Sequence, residues 1–153
     1  MDSVSLVPNG KYTDLKIGVF PSWYNISSND GKKVFILYTE GYVANAKGNY
    51  GAALIPLNKA YLLNPEYKNV RYQFGLALNA KGLHKEALKV LLEAVKLEPK
   101  SYLLHQEISF AQMQLGNIEA SQSSAKKGLK LCVLNEPRCT MALRLAVHYF
   151  NKI

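Results

Sequence analysis

Small residues recur along this chain at a fixed spacing of 34. Gly41, Gly75 and Ser109 fall in step, as do Gly48, Gly82 and Gly116, then Ala53, Ala87 and Ser121, and then Leu57, Leu91 and Ala125. Ala60, Ala94 and Gly128 follow, with Leu63, Leu97 and Leu131. The register closes on Pro65 and Pro99, where the third unit has Val133. A period of this length requires a stacked array, because a unit so short cannot bury its apolar face alone and must cover it with its neighbours.

Each column has a steric reason. Gly41 and Gly75 sit where two antiparallel helices must cross closely, and a large side chain there would wedge them apart. Gly48, Gly82 and Gly116 follow apolar-periodic stretches and suit the left-handed residue that ends a helix. Ala53 and Ala60, and again Ala87 and Ala94, lie seven apart on a second helix and give it one small-residue inner face. Pro65 and Pro99 stop that helix. With 153 residues, 48% of them hydrophobic and 20% charged, the chain has enough apolar surface for one ordered domain and is not a disordered tail.

The pattern resembles the tetratricopeptide repeat family, whose units of about 34 residues follow W-x2-L-G-x2-Y, then A-x3-F, A and P. The first unit shows Leu37, Glu40, Gly41, Ala44, Tyr50, Ala53, Leu57, Ala60 and Pro65. The second shows Arg71, Phe74, Gly75, Leu78, Ala87, Leu91, Ala94 and Pro99. The third keeps Ile108, Gly116, Ile118 and Leu131 but places Ser109, Ser121, Ala125 and Gly128 at signature positions. The resemblance implies an all-α fold, a right-handed α-solenoid of three helix-turn-helix repeats over 34–67, 68–101 and 102–135. A C-terminal capping helix over 136–153 closes it, and a short non-repeat segment, 1–33, precedes it. Pentatricopeptide RNA-binding repeats have a longer period and are rejected.

Segment 1–33 carries Val4, Leu6, Val7, Leu15, Ile17, Val19, Phe20, Trp23, Tyr24 and Ile26. Pro8-Asn9-Gly10 between two extended stretches reads as the turn of a hairpin. The segment also has a docking place: Ile55 and Leu62, on the second helix of the first repeat, stand where the second repeat has Lys89 and Lys96. Pro56 in the same helix removes a backbone donor and is expected to kink or shorten it. In the closing helix Leu143, Val147 and Phe150 belong to a wide apolar arc. The arc is expected to be covered by another segment, a second copy or a further part of a longer protein. Cys132 and Cys139 flank the turn into that helix. They form a disulfide in an oxidising compartment and stay two thiols in the cytosol, and their spacing does not choose between these.

Several function classes are set aside on composition and spacing. No run approaches the ~18 apolar residues of a membrane-spanning helix, and the first ten residues lack the basic-then-apolar pattern of a secretory signal. A cytoplasmic protein is expected, or an extracytoplasmic one if a signal has been removed. His84, His105 and His148 lie on different units with no partner at metal-ligand spacing, so neither a metal nor a cofactor is expected. No phosphate loop, nucleophile triad or inward carboxylate pair stands out, and the chain is read as no enzyme. Half of the net charge of +8 falls in 68–101. Lys85, Lys89 and Lys96 share one outward face there, but Glu86 and Glu93 interrupt it and the neighbouring units do not continue it. That is a solvated surface and not a nucleic-acid stripe.

The family resemblance implies protein binding in a concave groove lined by the first helices. The lining falls on Tyr38, Tyr42 and Asn45, on Asn69, Tyr72, Gln73, Leu76 and Asn79, and on Gln106, Phe110 and Met113. Chaperone-binding members hold a carboxylate with a Lys/Asn/Arg clamp. The matching positions here are Tyr38, Tyr42, Gln73, Leu103 and Gln106, so an acidic C-terminal chaperone tail is not the expected partner. The expected ligand is a peptide or protein with apolar anchors that stack on Tyr38, Tyr42, Tyr72 and Phe110 while Asn and Gln side chains pair with its backbone. The alternative is an assembly subunit that self-associates through its C-terminal helix, or a groove filled by the chain's own N-terminal segment.

Overall fold

The computed structural model describes residues 30–132, and among these there are six α-helices and no strand. They are α1 (Asp30–Ala46), α2 (Tyr50–Leu63), α3 (Val70–Ala80), α4 (His84–Leu97), α5 (Tyr102–Gln114) and α6 (Ile118–Leu131). The chain divides into two compact units at the turn between α3 and α4: Met1–Lys81 and Gly82–Ile153.

Local chemistry sets the helix ends. Gly48 and Gly116 have φ of +76° and +85°, a region where any other L-residue costs roughly 1–2 kcal/mol. Gly48 N–H donates to the Asn45 carbonyl and Asn49 N–H to that of Ala44; Gly116 and Asn117 repeat this onto Met113 and Gln112. These paired bonds satisfy the last carbonyls of α1 and α5. α5 opens on Ser101, whose hydroxyl accepts from Leu104 N–H, and α6 on Asn117, whose Oδ1 accepts from Ala120 N–H. α2 and α4 each stop two residues before a proline.

In the first unit α1 crosses α2 at Gly41, where an added Cβ would overlap the fully buried Leu57 side chain. α3 packs against α2 and also touches α1: Phe74 is fully buried with its ring 5.6 Å from that of Tyr61, and the Arg71 guanidinium stands 5.9 Å over Tyr61. The expected shortening of α2 at Pro56 does not occur. The helix runs through it for 14 residues, as long as α4. A proline removes one intrahelical bond, and packing against α1 and α3 holds the remaining turns.

In the second unit Ala87, Val90, Leu91 and Ala94 of α4, Leu104, Ile108 and Ala111 of α5 and Ala125 of α6 are buried. The third repeat carries Ser109 and Ser121 where the first has Gly41 and Ala53. Ser109 Oγ donates to the Ser121 carbonyl at 2.8 Å and Ser121 Oγ to the Ser109 carbonyl at 2.6 Å. The α5–α6 crossing is therefore a reciprocal hydroxyl clasp in place of small-residue contact.

The columns do not bury equally. Val70 and Ala77 of α3, and Leu104 and Ala111 of α5, are buried, for α3 and α5 each lie against the second helix of the preceding repeat. Their equivalents on α1, Ile36 and Val43, are 51% and 41% exposed. Among the described residues no helix precedes α1 to cover them.

Candidate partner-binding faces of the first helices

Tyr38 and Tyr42 stand four apart on α1 and so share a face. Their rings stack with centroids 6.1 Å apart and planes at 28°, and Tyr42 is 49% exposed. Tyr67, from the loop between α2 and α3, leans on Tyr38 at 5.2 Å. Asn69 has φ +67°, the one positive value at a non-glycine residue among those described, and it makes no cap bond to α3. Its side chain bonds Tyr38 instead. Burial pushes the Tyr38 phenol above its ordinary pKa; Tyr42 and Tyr67 add to this, and the Asn69 bond works against it. Tyr38 is thus a neutral stacking surface near pH 7.

The buried Asn45 amide is engaged through its nitrogen alone, for its Oδ1 has no hydrogen-bond partner among the described residues. Asn45 Nδ2 donates to both the main-chain oxygen and Oε1 of Gln73, each at 2.9 Å, and both residues are buried. They tie α1 to α3 and form the floor of the face. Asn79 is buried as well, whereas Tyr72 and Leu76 are half-buried one turn apart on α3.

The second unit offers Gln106, Phe110 and Met113, spaced to lie on one face of α5. Gln106 and Met113 are half-buried, and Phe110 is 40% exposed. His84, in the first turn of α4, meets the Phe110 ring edge-on at 5.6 Å and 73°. It occupies the Tyr50 column and supports an aromatic surface.

Tyr67 was not among the expected groove residues because it belongs to no helix and follows no periodic face. Ile36 and Val43 were missed because their columns are buried in the later repeats. Leu143, Val147, Phe150 and Cys139 lie outside the described residues. Cys132, just past the end of α6, is half-buried near Ala125. Among the described residues no cluster of three or more His, Cys, Asp or Glu could hold a metal ion, and no helix is long and apolar enough to cross a membrane.

Comparison with known proteins agrees with the repeat register. The family model of the tetratricopeptide repeat matches residues 69–101. Over 79 residues the chain is 38% identical to the TPR repeat-containing thioredoxin TTL4 of Arabidopsis thaliana, covering 52% of this chain and 12% of that protein. Over 78 residues it is 30% identical to Tetratricopeptide repeat protein 6 of Homo sapiens, covering 51% and 15%. The chain therefore spans only a small part of the length of these relatives. Among solved structures, a mutant O-GlcNAc transferase of Thermobaculum terrenum superposes with a TM-score of 0.69 at 21% identity, covering 80% of this chain and 24% of that one. The Sgt2 TPR domain from Aspergillus fumigatus gives 0.67 at 17% identity, covering 87% and 83%. The family match identifies a tetratricopeptide repeat over residues 69–101, and the 34-residue columns and the helix pairs with their turn glycines carry the same register into the repeats on either side of it.

Proposed function

We propose that the chain is a protein-interaction module that holds a peptide or partner protein against the aromatic faces of its first helices, and that it performs no catalysis itself. The observation that carries this reading is Tyr42, half in solvent yet stacked on Tyr38, which Tyr67 braces from below. A ring held in this way presents apolar area to a ligand without losing rotamer freedom on binding. Phe110, edge-on to His84, offers a second platform of the same kind. The ligand chemistry is an apolar-anchored peptide. With Asn45 and Gln73 bonded to each other, pairing to its backbone falls on groups nearer the surface, such as the Tyr42 hydroxyl and Gln106.

The test is a peptide array probed with the full chain, followed by Tyr42→Ala and Phe110→Ala on the best ligand. At least one substitution is expected to cost more than about 1 kcal/mol, roughly a fivefold loss of affinity. Unchanged binding in both variants, or strongest binding by acidic C-terminal tails, would defeat the proposal.

A further inference from the structure

α2 is buried where its sister helices are not. Leu57 meets Gly41 of α1, and Tyr61, about 40° further round the helix, meets Phe74 of α3. Asn58 and Leu62 lie about 100° and 140° from Leu57, on the outer side, yet Asn58 is fully buried and Leu62 is only 4% exposed. The same columns on α4 are Leu92, 41% exposed, and Lys96; on α6 they are Lys126 and Lys130, all exposed. α4, like α2, is followed by another helix of the array, so repeat stacking alone leaves this arc open. Asn58 adds a polar demand: neither Nδ2 nor Oδ1 has a hydrogen-bond partner among the described residues. A buried amide needs a donor and an acceptor together, which a crossing extended backbone supplies.

We infer that residues 1–29 of the same chain lie across the outer arc of α2, with Trp23, Tyr24 and Ile26 against Leu62 and Ile55 and a main-chain N–H and C=O pairing with Asn58. The first unit runs from Met1 to Lys81, and 1–29 is its only stretch beyond the described helices and turns. Chain connectivity brings the arc within its reach. α1 and α2 are antiparallel about a short turn, so the entry to α1 at Asp30 lies at the Leu62 end of α2. With Gly41 opposite Leu57, Asp30 stands about 9 Å beyond Leu62 and about 15 Å from Asn58 along the helix axis, and the seven residues back to Trp23 reach about 23 Å when extended.

Trp23 is the single tryptophan, so its fluorescence reports the contact directly. The full-length chain is expected to emit at the blue-shifted wavelength of a buried indole. Ile55→Lys with Leu62→Lys, the residues α4 carries at these columns, should move the emission to that of the denatured chain and raise acrylamide quenching severalfold, with helical circular dichroism retained. Asn58→Leu, which should not unfold the helix, is expected to raise quenching as well. Solvent-exposed emission in the unmodified chain, or an unchanged spectrum in both variants, overturns the inference. So does an emission shift that tracks chain concentration, which would assign the cover to a second copy.

Discussion

Ser109 and Ser121 show how a repeat keeps its packing after losing the small residues that define it. Each hydroxyl donates to the other residue's carbonyl across the α5–α6 crossing. Ser121→Ala is expected to cost about 1 kcal/mol in urea unfolding. Ser109→Gly with Ser121→Ala, the pair found at Gly75 and Ala87, should cost less than the two single changes added together, because the two Oγ atoms also stand 3.0 Å apart and each helps to hold the other. Strictly additive losses would refute the clasp. Gly41→Ala has no such escape: the new Cβ would overlap a fully buried Leu57, and a loss of about 1–3 kcal/mol is expected from overpacking. Tyr38 supplies a pH signature. Its folded pKa is raised above 10.0, chiefly by burial, so its contribution to stability is intact below that pH and is lost as pH rises through the folded value. Tyr38→Phe is expected to remove a late component from the tyrosinate absorbance titration and to move alkaline unfolding to higher pH.

At the scale of the element, α2 and α4 make an instructive pair, because they have the same length and repeat position and yet differ in character. α4 buries Ala87, Val90, Leu91 and Ala94 and turns its lysines outward, the stripe expected of a surface helix. α2 buries Leu54, Asn58, Tyr61 and Leu62 besides its inner-face Ala53, Leu57 and Ala60, the signature of a helix covered on several sides. This wide burial explains why Pro56 is tolerated in mid-helix. Pro56→Ala restores a backbone bond to the Ala52 carbonyl and is expected to raise stability, by up to about 3 kcal/mol. Thermal unfolding checks this; a lowered melting temperature would mean that the half-buried ring packs better than it strains. Pro56 and the apolar Ile55 and Leu62 are visible in the sequence, but that the helix runs its full length is not, since the bond lost is local and the packing that compensates comes from other elements.

For the whole molecule, the test is whether binding and stability separate. Tyr42 and Phe110 are substantially exposed, so truncating both to Ala should change unfolding free energy by no more than about 0.5 kcal/mol each. Partner binding should fall nonetheless. Asn45→Ala should behave oppositely, lowering stability by about 1–3 kcal/mol because it leaves the buried Gln73 amide without its partner. Equal losses of binding and stability in all three variants would mean that these faces are structural only.

What the sequence determined by itself was the repeat: the helix pairs, their ends at Gly48, Gly82 and Gly116 and before Pro65 and Pro99, and the close crossing at Gly41. These are steric demands of a few neighbouring residues, written again at every period, so they can be read without knowing what lies opposite. The tertiary structure alone decided which polar residues of the expected groove are floor and which are surface. Asn45 spends its amide N–H on Gln73, Tyr67 enters from a loop to brace Tyr38, and Ile36 and Val43 stand open on α1 where Val70 and Ala77 are closed on α3. A column preserves the helix face on which a residue sits but not the neighbour across from it, and burial and hydrogen bonding belong to that neighbour.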